Sequence, residues 1–438
     1  FLLHAEALVD VRPLDPNLHS SLKRAESLGT GDDFKAELVM VRASLQRRIG
    51  HLSNYRKHLG EAWTHAQHAD ANLPVSVQIA DELGLSLLRA GAGRAGSRWV
   101  HQALRVGQAL GARRLVACAE AGLAHLRYAR GELTSAEVAS IAALELFDKL
   151  GDTEGLALAL PVWANVLRQQ GRFSDAIDMI NTALPTFRRQ ENPSPYIHLL
   201  VALAWLEVEI CRLGRAQECI DELAATVSTG EHLVLRLEAR LVSGRILLAS
   251  DNRREAAQLL GEVCNLANTA GLVLIAEHAR ALLAETLWHA GQQEQASKLY
   301  KTSIRKVKKT RDVPTLLEVC RPFGEPAYQE TRRAFLKALR FAIEIGATAL
   351  VLEILVGIAS LLISSKPERK KKGAQLLAFV EHHPNTERLT KNRAERKLAE
   401  LAAQLLPENL ASARQVGRSS ELELVVAEIV GEMDRGNN

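Results

Sequence analysis

Breaks between helical patterns recur in this chain at a nearly fixed distance, and residues a set number of places from each break are small. Gly91, Gly131, Gly171, Gly214, Asp251 and Gly291 stand between paired helical patterns, at separations of 40, 40, 43, 37 and 40 residues. Five places after them come Gly96, Ala136, Ala176, Cys219, Ala256 and Ala296, and twelve after come Ala103, Ala143, Ala183, Thr226, Val263 and Ser303. Seven before are Gly84, Ala124, Ala164, Glu207, Gly244 and Ala284, and four before are Leu87, Arg127, Leu167, Ile210, Leu247 and Leu287. Small side chains at these positions let two antiparallel helices approach closely while the aliphatic position fills their seam. Glycine at the break supplies the left-handed residue that ends the first helix. Gly111, Gly151, Gly230, Gly271 and Gly346 mark the other end of the unit, and Thr134 with Glu137 has the spacing of a capping box. A single hairpin of this kind cannot bury both faces, so neighbours must stack on it as a solenoid.

Composition agrees with an all-α chain. Hydrophobic residues are 47% and charged residues 24%, while aromatics are only 4%, a mixture dominated by helix formers and poor in what strands prefer. At 438 residues the chain exceeds one compact core. A net charge of +4 does not ask for nucleic acid or a membrane. The five cysteines, Cys118, Cys211, Cys219, Cys264 and Cys320, form no CxxC pair and suit free thiols in a reducing cytoplasm. The apolar run at 343–365 contains Glu344 and Glu353, costly at bilayer depth, and reads as a buried solenoid helix. Phe1 already lies in a helical pattern, "FLLHAEALV", as expected of a piece of a longer polypeptide.

The spacing Ala164, Leu167, Gly171-Arg-Phe-Ser-Asp-Ala176, Ala183 resembles the tetratricopeptide repeat, here with a unit of about 40 residues in place of the usual 34. Longer repeats of this kind resemble the sensor solenoids of large bacterial signal-transduction ATPases, among them the maltotriose-responsive transcription activators. The match spans about residues 80 to 310, with an earlier copy centred on Gly50. Pro314, Pro322 and Pro326 interrupt the pattern beyond 310. Hairpins are expected around 328 to 345 and 347 to 382. The tail resembles the closing segment of the same regulators, with the turn Val416-Gly417-Arg418-Ser419-Ser420-Glu421 before a last apolar helix; Arg414 stands where that pattern usually has tryptophan. The expected architecture is an α-α superhelix of about nine or ten hairpins: a solenoid over 1–310, an irregular continuation over 311–382 and capping helices over 383–438.

Motifs for chemistry are sparse. No GxxxxGK[ST], HExxH, GxSxG or CxxC occurs, so the chain reads as a non-enzyme with no cofactor of its own. The resemblance implies that ATP would be bound only by an upstream module. His58, Glu61, His65 and His68 share a helical face that could ligate a metal but more simply is a polar outer face. The basic stripe Lys298, Lys301, Arg305, Lys308 and Lys309 and the run at 366–373 read as solvated surface. In a tetratricopeptide superhelix the first helix of each unit lines the concave side. Contacts there fall ten, six, three and two residues before the turn. Those slots hold Asp81, Arg89, His125, Tyr128, Asn165, Arg168, Arg212, Arg245, Glu285, Trp288 and His289, polar or aromatic among leucine and alanine. They are the expected contacts for a protein, peptide or small-molecule effector; nucleic acid and membrane are not expected partners, and the upstream ATPase module is. A free-standing adaptor or peptide-pheromone receptor is the alternative.

Overall fold

Leucine- and alanine-rich segments of 12–18 residues, many of them closed by a left-handed residue, fold as helices throughout the described residues. The computed structural model describes Leu2, residues 16–70, 73–189, 193–226, 232–310, 348–365, 369–386, 388–402 and 404–435, and scattered positions between 312 and 346. Helix α1 (Pro16–Leu28) precedes seven hairpins: α2 (Asp32–Arg48) with α3 (Leu52–Ala69), α4 (Pro74–Arg89) with α5 (Gly93–Leu110), α6 (Arg113–Ala129) with α7 (Leu133–Leu150), α8 (Thr153–Gln169) with α9 (Phe173–Phe187), α10 (Ser194–Glu209) with α11 (Leu213–Thr226), α12 (Leu233–Ala249) with α13 (Arg253–Thr269), and α14 (Val273–His289) with α15 (Gln293–Thr310). Then come α16 (Thr348–Ser365), α17 (Lys370–His382), α18 (Arg388–Ala402), α19 (Pro407–Arg418) and α20 (Leu422–Arg435). The expected hairpin around 328 to 345 lies mostly outside the described residues.

The fifth break is not at Gly214. The left-handed residue there is Cys211, with φ 60°, while Gly214 lies inside α11. The breaks at 91, 131, 171, 211, 251 and 291 are therefore 40 residues apart throughout. In the corrected register Ala204 takes the place of Glu207 and Ala216 that of Cys219; both alanines have 0% exposure, like Ala136, Ala176, Ala256 and Ala296. Close approach is visible where the slot is glycine. A Cβ built on Gly96 would lie 2.7 Å from the Gly84 carbonyl oxygen, and one on Gly244 2.6 Å from Leu260. Each break closes with the same pair of bonds: Arg172 N–H donates to the Leu167 carbonyl at 2.9 Å and Gly171 N–H to that of Arg168 at 3.1 Å, which satisfies carbonyls a helix end leaves open.

One local expectation is corrected. Thr134 is inside α7 and the cap is Glu132, so the capping box does not form; Glu137 instead accepts from Arg172 and Gln170 of the next hairpin. Gly91, Gly93 and Gly96 spell G-x-G-x-x-G, but Gly91 follows the helix α4 and Gly93 and Gly96 open α5, so the strand a dinucleotide site requires does not precede them.

The hairpins wind so tightly that successive turns of the superhelix touch edge to edge. A Cβ on Gly50, which ends the first helix of hairpin one, would meet Leu233 of hairpin six at 2.9 Å. Gly91 in hairpin two faces Thr310 of hairpin seven at 2.5 Å, and Gly171 faces Ala349 of α16 and Asn385. About five hairpins complete a turn. Trp205 of α10 stacks on His278 of α14 with ring centroids 5.4 Å apart. The apolar helix α16 is buried, not lipid-facing, and among the described residues no helix is long and apolar enough to cross a membrane. At the C-terminal end Gly417 of α19 presses against the backbone of α17, where a Cβ would lie 2.5 Å from the Gln375 carbonyl.

Two sets of variants check the register. Ala204→Leu, like Ala176→Leu or Ala256→Leu, overpacks a hairpin and lowers stability by roughly 1–3 kcal/mol in denaturant titration. Gly214→Ala sits in open helical space and is neutral or stabilising, whereas Gly171→Ala, forced to φ 81°, costs about 1 kcal/mol or more.

Candidate binding channel

The first helices of the hairpins form the inner wall, and polar residues on them gather in two places. In the first, Arg89 of α4 lies within electrostatic reach of Asp81, two turns earlier on the same helix, of His125 of α6 and of Glu238 of α12, which belongs to the next superhelical turn. All four are half-buried. Gly122 of α6 makes the room: a Cβ there would lie 2.3 Å from Asp81 Oδ1, an oxygen that is buried and has no hydrogen-bond partner. Burial, then neighbouring Glu82, pushes the Asp81 carboxyl up to about 8, against the attraction of Arg89. Burial, reinforced by Arg89, pushes His125 down to about 4, so it is neutral. Burial also raises Glu238. Beside them Tyr55 donates to Glu82, which also pairs with Arg47 at 3.5 Å. Arg89 acts on Asp81, Glu82 and Glu238 alike.

The second place lies in the interior. Arg168 Nη1 meets Glu209 at 3.2 Å, with side chains 9% and 0% exposed. Arg245 Nη1 meets Glu285 at 3.2 Å, both 2% exposed. Arg393, from α18, donates to Glu285 at 2.6 Å and to Glu353 of α16 at 3.1 Å. These predicted groove residues are thus not on an open concave wall. The superhelix closes over them, and buried charges persist only when paired.

Of the remaining predicted residues, His289 lies within electrostatic reach of Glu285 and Arg393 in the second group, and the others join neither. Asn165 turns back to donate to the Pro161 carbonyl of its own helix at 2.9 Å. Tyr128 and Trp288 are half-buried and pack against the core around α14 to α16. Arg212 is exposed at a turn, 3.9 Å from Glu207, because its slot was counted from Gly214; counted from Cys211, the slot is Glu209. His289 is exposed at the end of α14, its carbonyl accepting from Arg253. Glu82, Glu209, Glu238 and Arg393 went unnoticed. Only Glu209 was within reach of the repeat pattern, through the corrected break.

His58 pairs with Glu61 at 3.0 Å and His65 with Asp32 at 2.9 Å; among the described residues no group of three or more histidine, cysteine or acidic side chains is arranged to hold a metal. Cys118, Cys211, Cys219 and Cys264 are free thiols, while Cys320 lies outside the described residues. Burial pushes Cys118 up to about 12, which leaves it a poor nucleophile.

Among solved structures the chain is similar to a Rap protein complexed with Competence and Sporulation Factor, at 17% identity and a TM-score of 0.58, over 70% of this chain and 84% of that one. The fold is a tetratricopeptide-like solenoid. A STAND protein with a tetratricopeptide repeat sensor from Pyrococcus horikoshii aligns over 99% of this chain and 70% of its own, at 13% identity and a TM-score of 0.44, too low to carry an argument. No protein-family model and no curated protein matches the sequence.

Asp81 sets a pH dependence. Its folded value lies above the unfolded value of about 4, so the folded state holds the extra proton and stability falls as pH rises through about 8. Between pH 6.5 and 8, above the range where His125 contributes, Asp81→Asn flattens this decline and melts above the wild type at the alkaline end by calorimetry. An identical slope in both proteins contradicts the assignment.

Proposed function

We propose that this chain is a partner- and effector-binding solenoid, the sensor region of a larger bacterial signal-transduction ATPase or transcriptional regulator. One observation supports the binding part of that reading: half-buried Asp81, His125 and Glu238, from two superhelical turns, all lie within electrostatic reach of Arg89 on the inner wall, with the buried Oδ1 of Asp81 left without a hydrogen-bond partner. Sites with a few convergent polar groups and perturbed carboxyls in a concavity suit ligand recognition. The effector is a protein, a peptide or a small molecule rather than nucleic acid. An effector shifts the solenoid between curvatures only by its differential affinity for them. The finer part of the reading rests on the repeat of about 40 residues and the Gly417-Arg418 tail turn. In it, ATP is held by an upstream module, the chain acts in the cytoplasm, and residues 1–310, 311–382 and 383–438 are solenoid, continuation and cap. A fold shared with the Rap protein is compatible with this reading and with a free-standing receptor alike.

Arg168 and Arg245 are unsuitable for a test by truncation, because each is a buried ion-pair member and its loss takes a cation away from a buried carboxylate. Arg89→Ala combined with Glu238→Ala touches the half-buried cluster instead. Panning a displayed peptide library against the wild type recovers binders, and the double variant retains them about ten-fold less well with unchanged helical circular dichroism. Equal retention clears the cluster of involvement. A Walker sequence upstream of Phe1 in the full polypeptide assigns the ATPase parent; a full polypeptide lacking one assigns the free-standing receptor.

A further inference from the structure

Contact between superhelical turns also joins two basic helices on the outside of the wall. α5 and α15 are the second helices of hairpins two and seven, and the end of α15 abuts the start of α5. A Cβ on Gly91 would lie 2.5 Å from Thr310 Cγ2, and one on Gly93 3.4 Å from the Thr310 carbonyl oxygen. Together the two helices hold nine lysines and arginines and one carboxylate, Glu294. That is a surplus of eight positive charges in a chain of net charge +4, so the rest of the chain carries −4. Arg94, Arg98 and Arg105 are exposed on α5, and Lys298, Arg305 and Lys309 on α15. Steps of four and seven residues keep each set along one side of its helix. None of the six makes an ion pair among the described residues, whereas Lys306 is taken by Glu277 at 3.2 Å.

Either stripe by itself is a solvated helix face. Closure sets them end to end, and the absence of anything but charge on the resulting ridge selects the partner. Among the described residues of α5 and α15 no aromatic side chain is exposed, and the single exposed large apolar one is Leu110, at the far end of α5. A protein interface centres on apolar or aromatic anchors and is depleted in lysine. A helix that settles on a membrane needs an apolar face to insert, and single-stranded nucleic acid needs aromatic platforms for its bases. A duplex backbone needs none of these. It carries one negative charge per about 1.7 Å of axis, and cations that neutralise its phosphates gain from counterion release. We propose that the ridge of α5 and α15 docks the phosphate backbone of double-stranded nucleic acid, without regard to base sequence. The contact lies on the outer surface and is separate from the effector cluster on the inner wall.

The test titrates the 438-residue chain into labelled DNA and RNA duplexes of about 20 base pairs and follows anisotropy from about 50 to 200 mM salt. Binding is insensitive to scrambling of the bases, and log K falls against log salt with a slope of about −5, as six phosphate contacts require. The tighter of the two duplexes names the source of the backbone. Arg94→Gln, Arg98→Gln, Arg305→Gln and Lys309→Gln together make the slope shallower by about 3.5 and weaken binding at about 50 mM salt at least ten-fold. A control chain with Lys149→Gln, Arg188→Gln, Arg215→Gln and Arg254→Gln, equally exposed and lowering the net charge by the same amount, keeps the wild-type slope. Arg94→Lys, Arg98→Lys and Arg305→Lys together retain binding within about three-fold, since a phosphate accepts a point charge; this variant guards against misfolding of the first. No binding of either duplex at low salt, an unchanged slope in the ridge variant, or equal losses in ridge and control variants overturns the proposal. So does equal or tighter binding of polyglutamate, or of vesicles of phosphatidylcholine and phosphatidylglycerol. The Arg89→Ala, Glu238→Ala chain binds the duplex like the wild type, so failure of the effector reading leaves this result standing.

Discussion

Backbone-to-backbone proximity inside each hairpin is the constraint on which the molecule depends. Gly84 lies against Gly96, and Ala164, Ala204 and Ala284 meet their partner helices with no side chain longer than a methyl group. Each such contact fixes the separation of a helix pair, and the seam aliphatics fix its crossing. Because the unit repeats every 40 residues with the left-handed break in the same place, one local geometry propagates into a constant curvature. That curvature is tight enough to bring hairpin one onto hairpin six. The burial of the inner helices, and the pairing of charges among them, are consequences of a distance set by glycine and alanine.

Enclosure changes what polar residues on the inner helices do. An open concave wall would leave Arg168, Arg245 and Glu285 to water. In the closed superhelix they must find one another, and each ion pair links neighbouring first helices: α8 to α10, α12 to α14. Pairs of this kind add little net stability against apolar replacements but penalise every arrangement that separates them. The cluster of Asp81, Arg89, His125 and Glu238 differs in being half-buried, whereas the side chains of the pairs Arg168–Glu209 and Arg245–Glu285 are at most 9% exposed.

The hairpins were legible in the sequence because their determinants are local: helix formers, small slots at fixed offsets and a residue that tolerates positive φ. The fifth break was misplaced because Cys211 adopts φ 60° without being glycine, and Gly214, three residues on, drew the register to itself. The error passed into Arg212 and concealed Glu209. The capping box at Thr134 failed for a related reason, since the tertiary partner Arg172 claims Glu137. Superhelical closure was illegible because it pairs residues far apart in the chain, such as Gly50 with Leu233, and no period in the sequence encodes the pitch. Asp81, Arg89 and His125 were found from their slots alone; Glu238 joins them only through that closure.

Edge contact between turns also bears on how the molecule comes apart. A solenoid whose repeats touch only their neighbours melts piecemeal, its stability a sum along one dimension. Here Gly50, Gly91 and Gly171 each abut a unit far along the chain, so losing one hairpin strips support from another about five units away. Fraying from either end meets a second layer of contacts, and denaturation becomes a more concerted event than the linear order of the repeats implies.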